Sequence, residues 1–234
     1  RYDDLLVGTG LNLSGDNAGG KRARSDGAVM SLTHTPLPIS ISGTVFLEKN
    51  LNLVQNSGEP GIADVTLSLW QKTANGFTDT GHTTKTDANG NYEFGTDLNL
   101  LPGTYQVRET QPSGLFSVGA VPGTVDGTTS GSTVSGNPDV LTEIEIPLGG
   151  QHSIDNDFAE AEPAKISGYV YHDRSNEGSR AAGEEGIANV TLQVIPVNTI
   201  AAQNTVTVTT NSSGFYEAVG LSPLGSGSEQ GSKT

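Results

Sequence analysis

The chain has 234 residues, a net charge of −14 and no cysteine, and 33% of its residues are hydrophobic. The acidic balance repels phosphate backbones and argues against nucleic-acid binding. The lack of cysteine excludes disulfides and thiolate metal sites. No apolar run reaches the ~20 residues that a membrane-spanning helix needs, so we expect no membrane insertion by this chain.

The first segment, residues 1–38, is polar and rich in glycine, and it ends in an extended stretch that contains Pro36 and Pro38. Proline is confined to edge strands and irregular segments because it lacks the backbone N–H. We interpret residues 1–38 as a linker or as the end of a preceding repeat.

Residues 39–163 show many short runs of alternating apolar and polar residues, which is typical of strands with one buried face. Asn89-Gly90 is a hairpin signal, and Pro102-Gly103 fits a type II turn. Residues 122–139 are rich in Gly, Ser and Thr and are predicted to form a surface excursion. The predicted strands cover 39–47, 63–71, 79–86, 91–95, 103–110, 115–119, 140–146 and 152–158. Many short antiparallel strands at this spacing predict an all-β sandwich.

Residues 164–234 repeat the first part of this pattern. The residues Gly43, Gly58, Glu59, Gly61, Ile62, Ala63, Val65, Thr66 and Leu67 recur as Gly168, Gly183, Glu184, Gly186, Ile187, Ala188, Val190, Thr191 and Leu192. Constant spacing of this kind indicates tandem copies of one domain type. We predict one complete sandwich at 39–163 and a second, truncated repeat at 164–234.

The second repeat contains a loop with oxygen-bearing side chains at alternate positions. Asp173, Ser175, Glu177, Gly178 and Glu184 occupy positions 1, 3, 5, 6 and 12. This is the spacing with which an EF-hand-like loop surrounds Ca²⁺, with glycine at the sharp turn and a carboxylate at the end. The spacing predicts a calcium site, and the alternative is that these residues only form turns.

The first repeat carries the same loop in altered form. Glu48, Asn50, Asn52 and Glu59 take the ligand positions, but Leu53 stands where Gly178 stands in the second loop. Leucine adopts the backbone conformation of that position only with strain. We therefore expect weaker calcium binding in the first loop, or none.

The order of motifs resembles that of the B-type repeats of serine–aspartate repeat adhesins and of the B-type domains of collagen adhesins. The resemblance rests on Ile-Ser-Gly-x-Val, Gly-Glu-x-Gly-Ile-x-x-Val-Thr-Leu, Thr-Asp-x-x-Gly-x-Tyr-x-Phe and Leu-Pro-Gly-x-Tyr-x-Val-x-Glu-Thr-x-Pro-x-Gly. It covers residues 39–158 well and 164–223 in part. It implies tandem Greek-key, prealbumin-like (Ig-like) β-sandwiches that serve as stalk, spacer or fibre modules, several of which bind calcium.

The resemblance also implies two further sets of candidate residues. Asp87, in the Thr-Asp-x-x-Gly turn, is a candidate additional calcium ligand. In the collagen-adhesin group an amide bond between Lys and Asn, assisted by a buried acid, joins the first strand to the last. Lys49, Asn156 and Glu109 lie near the corresponding positions, although Lys49 sits in a polar loop, which argues against this crosslink.

These observations favour a structural protein over an enzyme. No histidines share a metal-ligand spacing, and neither a nucleophile elbow nor a phosphate-cradling loop is present. We predict a calcium-stiffened stalk or fibre module of an extracellular or cell-surface protein, with neighbouring repeats as its partners. One alternative is an adhesin module in which residues 122–139 contact a host protein or glycan. Another is a head-to-tail filament, in which residues 27–41 of one copy complete the sheet of residues 165–234 of the next.

Overall fold

The computed structural model of the chain describes residues 36–197 and 205–223, which are all-β apart from one turn of 3-10 helix at Thr96–Leu98. The described residues all belong to one compact unit. The linker or preceding repeat expected at 1–38 lies almost wholly outside the described residues. Within the described part, no helix is long and apolar enough to cross a bilayer.

The first repeat is a sandwich of two sheets. One sheet has the strand order β6-β12-β1-β11-β7-β8, with β4 also paired to β1, and the other has the order β3-β2-β5-β10-β9. The strands are β1 (Ser40–Leu47), β2 (Thr66–Thr73), β3 (Gly76–Lys85), β4 (Asn91–Phe94), β5 (Gly103–Glu109), β6 (Phe116–Val121), β7 (Thr124–Val125), β8 (Thr128–Thr129), β9 (Ser132–Val134), β10 (Asn137–Ile146), β11 (His152–Ile154) and β12 (Asp157–Ala161). The predicted all-β Greek-key sandwich is confirmed.

The first and last strands of this sandwich are parallel neighbours. Val45 of β1 pairs with Phe158 of β12, and Leu47 pairs with Glu160. Because the two strands run in the same direction, the chain enters the sandwich at one end and leaves it at the other. The second repeat follows from the exit end.

The core lies between the two sheets and is built from alternate residues of each strand. Leu67 and Leu69 of β2 face Phe158 and the other apolar residues of the opposite sheet, and burial of each large side chain contributes ~1.5–3 kcal/mol. Tyr92 is buried with its hydroxyl donating to the carbonyl oxygen of Asn156 at 2.6 Å. The alternation that predicted these strands is therefore the alternation of core and surface.

The second repeat reproduces the opening strands of the first. β13 (Ala164–Tyr169) pairs with β16 (Phe215–Leu221), as β1 pairs with β4, and β14 (Thr191–Val194) pairs with β15 (Val206–Thr209), as β2 pairs with β3. Ile166 and Tyr169 on β13 remain 48% and 47% exposed.

The same close approach of two backbones requires glycine at equivalent positions of both repeats. A Cβ on Gly61 would lie 1.8 Å from the carbonyl oxygen of Asn89, and a Cβ on Gly186 would lie 1.8 Å from that of Ser213. The turns they approach are closed by Gly90 and Gly214, whose φ angles are +82° and +78°. Only glycine permits this approach of two backbones.

Several predicted elements differ from the observed ones. The strand predicted at 152–158 is two strands, because Asp155 (φ +60°) breaks the extended backbone between β11 and β12. The excursion at 122–139 contains three short strands, β7 to β9, and the beginning of β10. Gly103 lacks the positive φ that a type II turn requires; the left-handed residue before β5 is Asn99 (φ +52°).

Candidate cation sites

The loop at 48–59 is organised by the carboxylates at its two ends. Glu48 is 3% exposed and accepts the backbone N–H groups of Asn50, Leu51 and Leu53 at 2.7–2.9 Å. Glu59 accepts the N–H of Lys49 at 2.9 Å and the N–H of Asn56 at 2.7 Å.

These hydrogen bonds have an electrostatic consequence. The N–H of Asn56, followed by that of Lys49, lowers the pKa of Glu59 below its ordinary value, so this carboxylate stays charged at neutral pH. Both end positions of the first loop therefore present oxygen atoms held in place by the loop backbone.

The middle of the first loop shows the strain expected from its sequence. Leu53 adopts φ +59°, the left-handed region, and Leu51 adopts φ +63°. Residues other than glycine pay ~1–2 kcal/mol for this conformation. The amides of Asn50 and Asn52 both donate to the side-chain oxygen of Asn56, at 2.7 and 2.8 Å. Asn56, at loop position 9, was missed in the sequence, although that position also supplies a ligand in the twelve-residue template.

The loop at 173–184 brings three oxygen-bearing side chains together. The hydroxyl of Ser175 lies 3.4 Å from Oδ1 of Asp173 and 3.3 Å from Oε1 of Glu184. Asp173 also accepts the N–H of Gly178 at 2.9 Å, which is possible because Gly178 has φ +72°. The hydroxyl of Ser175, at position 3, thus lies beside the carboxylates of positions 1 and 12.

The donor set of this loop fits a hard cation. Asp173, Ser175, Glu177 and Glu184 offer only oxygen, the ligand that Ca²⁺ prefers. The N–H of Gly178 is the main cause that lowers the pKa of Asp173, and the N–H of Ala181 is the main cause that lowers the pKa of Glu184. Both carboxylates are therefore charged at neutral pH.

Asp87 lies in the turn between β3 and β4. Its Oδ1 accepts the N–H groups of Asn89 and Asn91 at 2.8 and 2.9 Å, and the N–H of Asn91 is the main cause that lowers its pKa. Asn211, at the equivalent place in the second repeat, accepts the N–H groups of Ser213 and Phe215 at 2.9 and 3.0 Å. The turn forms equally with a neutral side chain, so its geometry does not require the charge of Asp87.

The candidate crosslink residues are not assembled. Lys49 is exposed, and its Nζ donates to the carbonyl oxygen of Gly58 at 2.6 Å. Asn156 is buried, and its Nδ2 donates to the carbonyl oxygen of Ser42 and to the hydroxyl of Ser153, both at 3.0 Å. Glu109 is buried with neither oxygen hydrogen-bonded. The structure therefore places Lys49 in contact with neither of the other two.

Glu109 instead belongs to a cluster of acids that the sequence analysis missed. Glu109 of β5, Asp139 of β10 and Glu160 of β12 each offer a carboxylate oxygen, and these oxygens lie within 4.8 Å of one another. It is the one such group of three or more acidic or histidine side chains among the described residues. Each acid lies two residues from a buried apolar residue of its own strand: Glu109 from Val107, Asp139 from Leu141 and Glu160 from Phe158. Because alternate residues of a strand face the same side, this spacing was the signal in the sequence that could have revealed the cluster.

Burial perturbs two of these acids strongly. Loss of solvent, with the negative charges of Glu160 and Asp139 as smaller causes, raises the pKa of Glu109 to about 9. Loss of solvent also raises the pKa of Glu160 to about 7, although a hydrogen bond from Gln111 acts in the opposite direction. The cluster is a place where negative charge is costly unless a proton or a cation accompanies it.

Comparison with known proteins identifies relatives of this chain. The family model described as "SdrD B-like domain" matches residues 39–157. The serine-aspartate repeat-containing protein D of Staphylococcus aureus (strain Newman) is 32% identical over 178 residues, which are 76% of this chain and 12% of that protein. The serine-aspartate repeat-containing protein F of Staphylococcus epidermidis (strain ATCC 12228 / FDA PCI 1200) is 31% identical over 182 residues, which are 78% of this chain and 10% of that protein. The chain thus spans about a tenth of the length of these relatives.

Two solved structures align with this chain at low sequence identity. The Bacillus anthracis TIE protein aligns with a TM-score of 0.38 and 14% identity, over 81% of this chain and 27% of that one. The streptococcal ancillary pilin aligns with a TM-score of 0.37 and 14% identity, over 80% of this chain and 51% of that one.

Proposed function

Because this chain belongs to the SdrD B-like domain family, we propose that it is a structural stalk, spacer or fibre module of a larger extracellular or cell-surface protein. The observation that supports this function most is the parallel pairing of β1 with β12. A module whose chain enters at one end and leaves at the other extends an array by its own length.

The same pairing determines how the module responds to tension. A pull on the two ends of the sandwich moves β1 and β12 in opposite directions along their common axis. The hydrogen bonds between them are then loaded in shear, so many must break together, whereas an unzipping hairpin breaks its bonds one pair at a time. Forced unfolding is governed by the unfolding rate, and this arrangement slows it.

Force spectroscopy tests this proposal on the full chain. Cysteine handles replace Leu37 and Glu162, which flank the sandwich, so that β1 and β12 are sheared. In the matched control the handles replace Asp64 and Lys85, at the open end of the β2–β3 hairpin, where Nζ of Lys85 lies 3.8 Å from Oδ1 of Asp64. A pull on these two positions unzips the hairpin. We expect a higher unfolding force for the first pair. An equal or lower force would contradict the proposal.

We further propose that calcium held by the loops stiffens the array. In the second loop Asp173, Ser175, Glu177 and Glu184 would hold the ion, and in the first loop Glu48, Asn50, Asn52 and Glu59 would hold it more weakly. A bound cation would neutralise the clustered carboxylates. The loop residues would then keep one conformation beside the exit from the sandwich, because Glu48 is hydrogen-bonded to β12.

The alternative of an adhesin module receives less support. Exposed aromatic side chains gathered on one sheet face would favour ligand binding, but Trp70, on the outer face of β2, is covered by Arg108, whose guanidinium lies 3.6 Å from the ring centroid.

The alternative of a head-to-tail filament also receives less support. Its predicted donor strand, residues 27–41, is not wholly free, because Ile39 and Ile41 are fully buried in the first sandwich. Residues 27–35 of that segment lie outside the described part of the chain.

A further inference from the structure

The cluster of Glu109, Asp139 and Glu160 lies inside the sandwich and includes no residue of either loop. Glu109 and Asp139 come from one sheet and Glu160 comes from the other, so the three carboxylates meet across the gap between the sheets. Glu109 is 8% exposed and Glu160 is 0% exposed. A ligand bound here would join the two layers of the fold.

The side chains of this cluster lack partners for their oxygens. Both oxygens of Glu109, Oδ1 of Asp139 and Oε1 of Glu160 are buried without a hydrogen bond. Gln111 donates to the other oxygen of Glu160. The ion pairs of the described residues include none of the three acids. Buried polar atoms without partners are rare in native proteins, and each such atom requires an explanation.

A fourth side chain, from another strand, points into the same space. Ser117 of β6 is 8% exposed and lies opposite Glu160 in the register of β6 and β12. Its hydroxyl has no partner at good hydrogen-bond geometry, but it lies close enough to Glu160 for a weak hydrogen bond to be the smallest cause that lowers the pKa of that carboxyl. A buried hydroxyl that faces the carboxylates without a well-formed hydrogen bond adds a fourth oxygen to the site and is an independent sign that a ligand completes it.

The chemistry of these four side chains identifies the ligand class. All of their free atoms are oxygens, and three carboxylates with one hydroxyl can supply most of the six to eight ligands that a hard divalent cation requires. Softer metals prefer nitrogen or sulfur ligands, which the cluster does not offer. We propose that Glu109, Asp139, Glu160 and Ser117 form a binding site for a hard divalent cation of the calcium or manganese type, which clamps the two sheets together.

The experiment isolates this site from the loops. The full chain carries Glu48→Gln, Asp173→Asn and Glu184→Gln to disable the loops, and Mn²⁺ is titrated while the signal of free Mn²⁺ is followed by electron paramagnetic resonance. We expect one bound ion per chain, lost in the additional variant Glu109→Gln/Glu160→Gln and retained in Glu145→Gln, an exposed acid of β10. Absence of binding in the loop-disabled chain, or equal binding in the cluster variant, would overturn the proposal.

Thermal unfolding gives a second readout with Ca²⁺ as the probe. At about 100 times Kd the melting temperature of the loop-disabled chain should rise by about 5–10 °C. Glu109→Gln/Glu160→Gln should not respond, yet should melt higher than its parent in chelator, because it no longer buries ionisable carboxyl groups without hydrogen-bond partners. If that variant fails to fold, Asp139→Asn takes its place. A melting temperature that falls with rising pH but does not change when Ca²⁺ is added would mean that the cluster holds only protons. That result would also overturn the proposal.

Discussion

The backbone N–H of Glu48 donates to the carbonyl oxygen of Glu160 at 2.7 Å. This bond extends the pairing of β1 and β12 by one residue beyond the end of β1, and it connects the first residue of the 48–59 loop to the strand that carries the buried acid. The loop, the buried cluster and the mechanical pairing therefore share one end of the sandwich, the end from which the chain continues into the second repeat.

Gly61→Ala should destabilise the first sandwich severely. The new methyl group would lie 1.8 Å from the backbone carbonyl oxygen of Asn89. Because the methyl carbon is fixed to one backbone and the oxygen belongs to another, relieving this clash requires the two backbones to move apart. We expect a loss of about 3 kcal/mol or more in the free energy of unfolding, measured by urea denaturation. Gly127→Ala is the control, because its φ of +77° adds only conformational strain of about 1–2 kcal/mol in open space. Equal losses in the two variants would contradict this account.

Asp173→Asn should separate the structural role of this residue from its proposed metal role. The amide oxygen of asparagine can still accept the N–H of Gly178, so in chelator the melting temperature should change little. In calcium the wild-type chain should melt higher, and the variant should lose the part of this gain that the second loop provides. Asp79→Asn, outside both loops, serves as the control and should respond to calcium as the wild type does. An unchanged calcium response in Asp173→Asn would exclude calcium binding by this loop.

Asp87→Asn should be nearly neutral, within about 0.5 kcal/mol, because Asn211 forms the same turn in the second repeat without a charge. Asp87→Ala removes the acceptor of two backbone N–H groups and should cost about 1 kcal/mol. Calcium titration of Asp87→Asn tests whether Asp87 is also a ligand. Weaker binding would support that role, and unchanged binding would leave Asp87 as a turn residue alone.

The sequence predicted the elements whose causes are local. Alternation revealed most of the strands of the first sandwich, and Asn89-Gly90 marked the turn that joins β3 to β4. The two carboxylate-ended loops were also visible as spacings. These features depend on neighbours within a few residues or on a pattern that occurs twice.

What the sequence did not predict depends on contacts between distant strands. Glu109 and Glu160 meet only because β5 and β12 lie in facing sheets, and nothing in the sequence around either residue points to the other. The break at Asp155 was missed because an aspartate in the left-handed conformation looks, in sequence, like any polar strand residue. A one-dimensional pattern gives the direction of a side chain but not its partner across the core.

Asp157 provides a test of how burial affects the pH dependence of stability. Its Oδ1 accepts the N–H of Thr44 at 2.8 Å, yet loss of solvent, together with the charge of Asp155, raises its pKa from 3.8 to about 6. Between these pH values the folded chain binds more protons at this residue than the unfolded chain does. Its contribution to stability is therefore complete below pH ~4 and is lost as the pH rises through about 6.

Asp157→Asn removes this titration and keeps an oxygen to accept the N–H of Thr44. We expect the variant to lose less stability than the wild type between pH 4 and pH 7, measured by urea denaturation in chelator at each pH. Glu109 and Glu160 also favour the protonated state, but they are present in both chains, so the difference between the chains isolates Asp157. A difference that stays constant from pH 4 to pH 7 would mean that Asp157 has the same pKa in the folded and unfolded chain, and that the hydrogen bond from Thr44 offsets its burial.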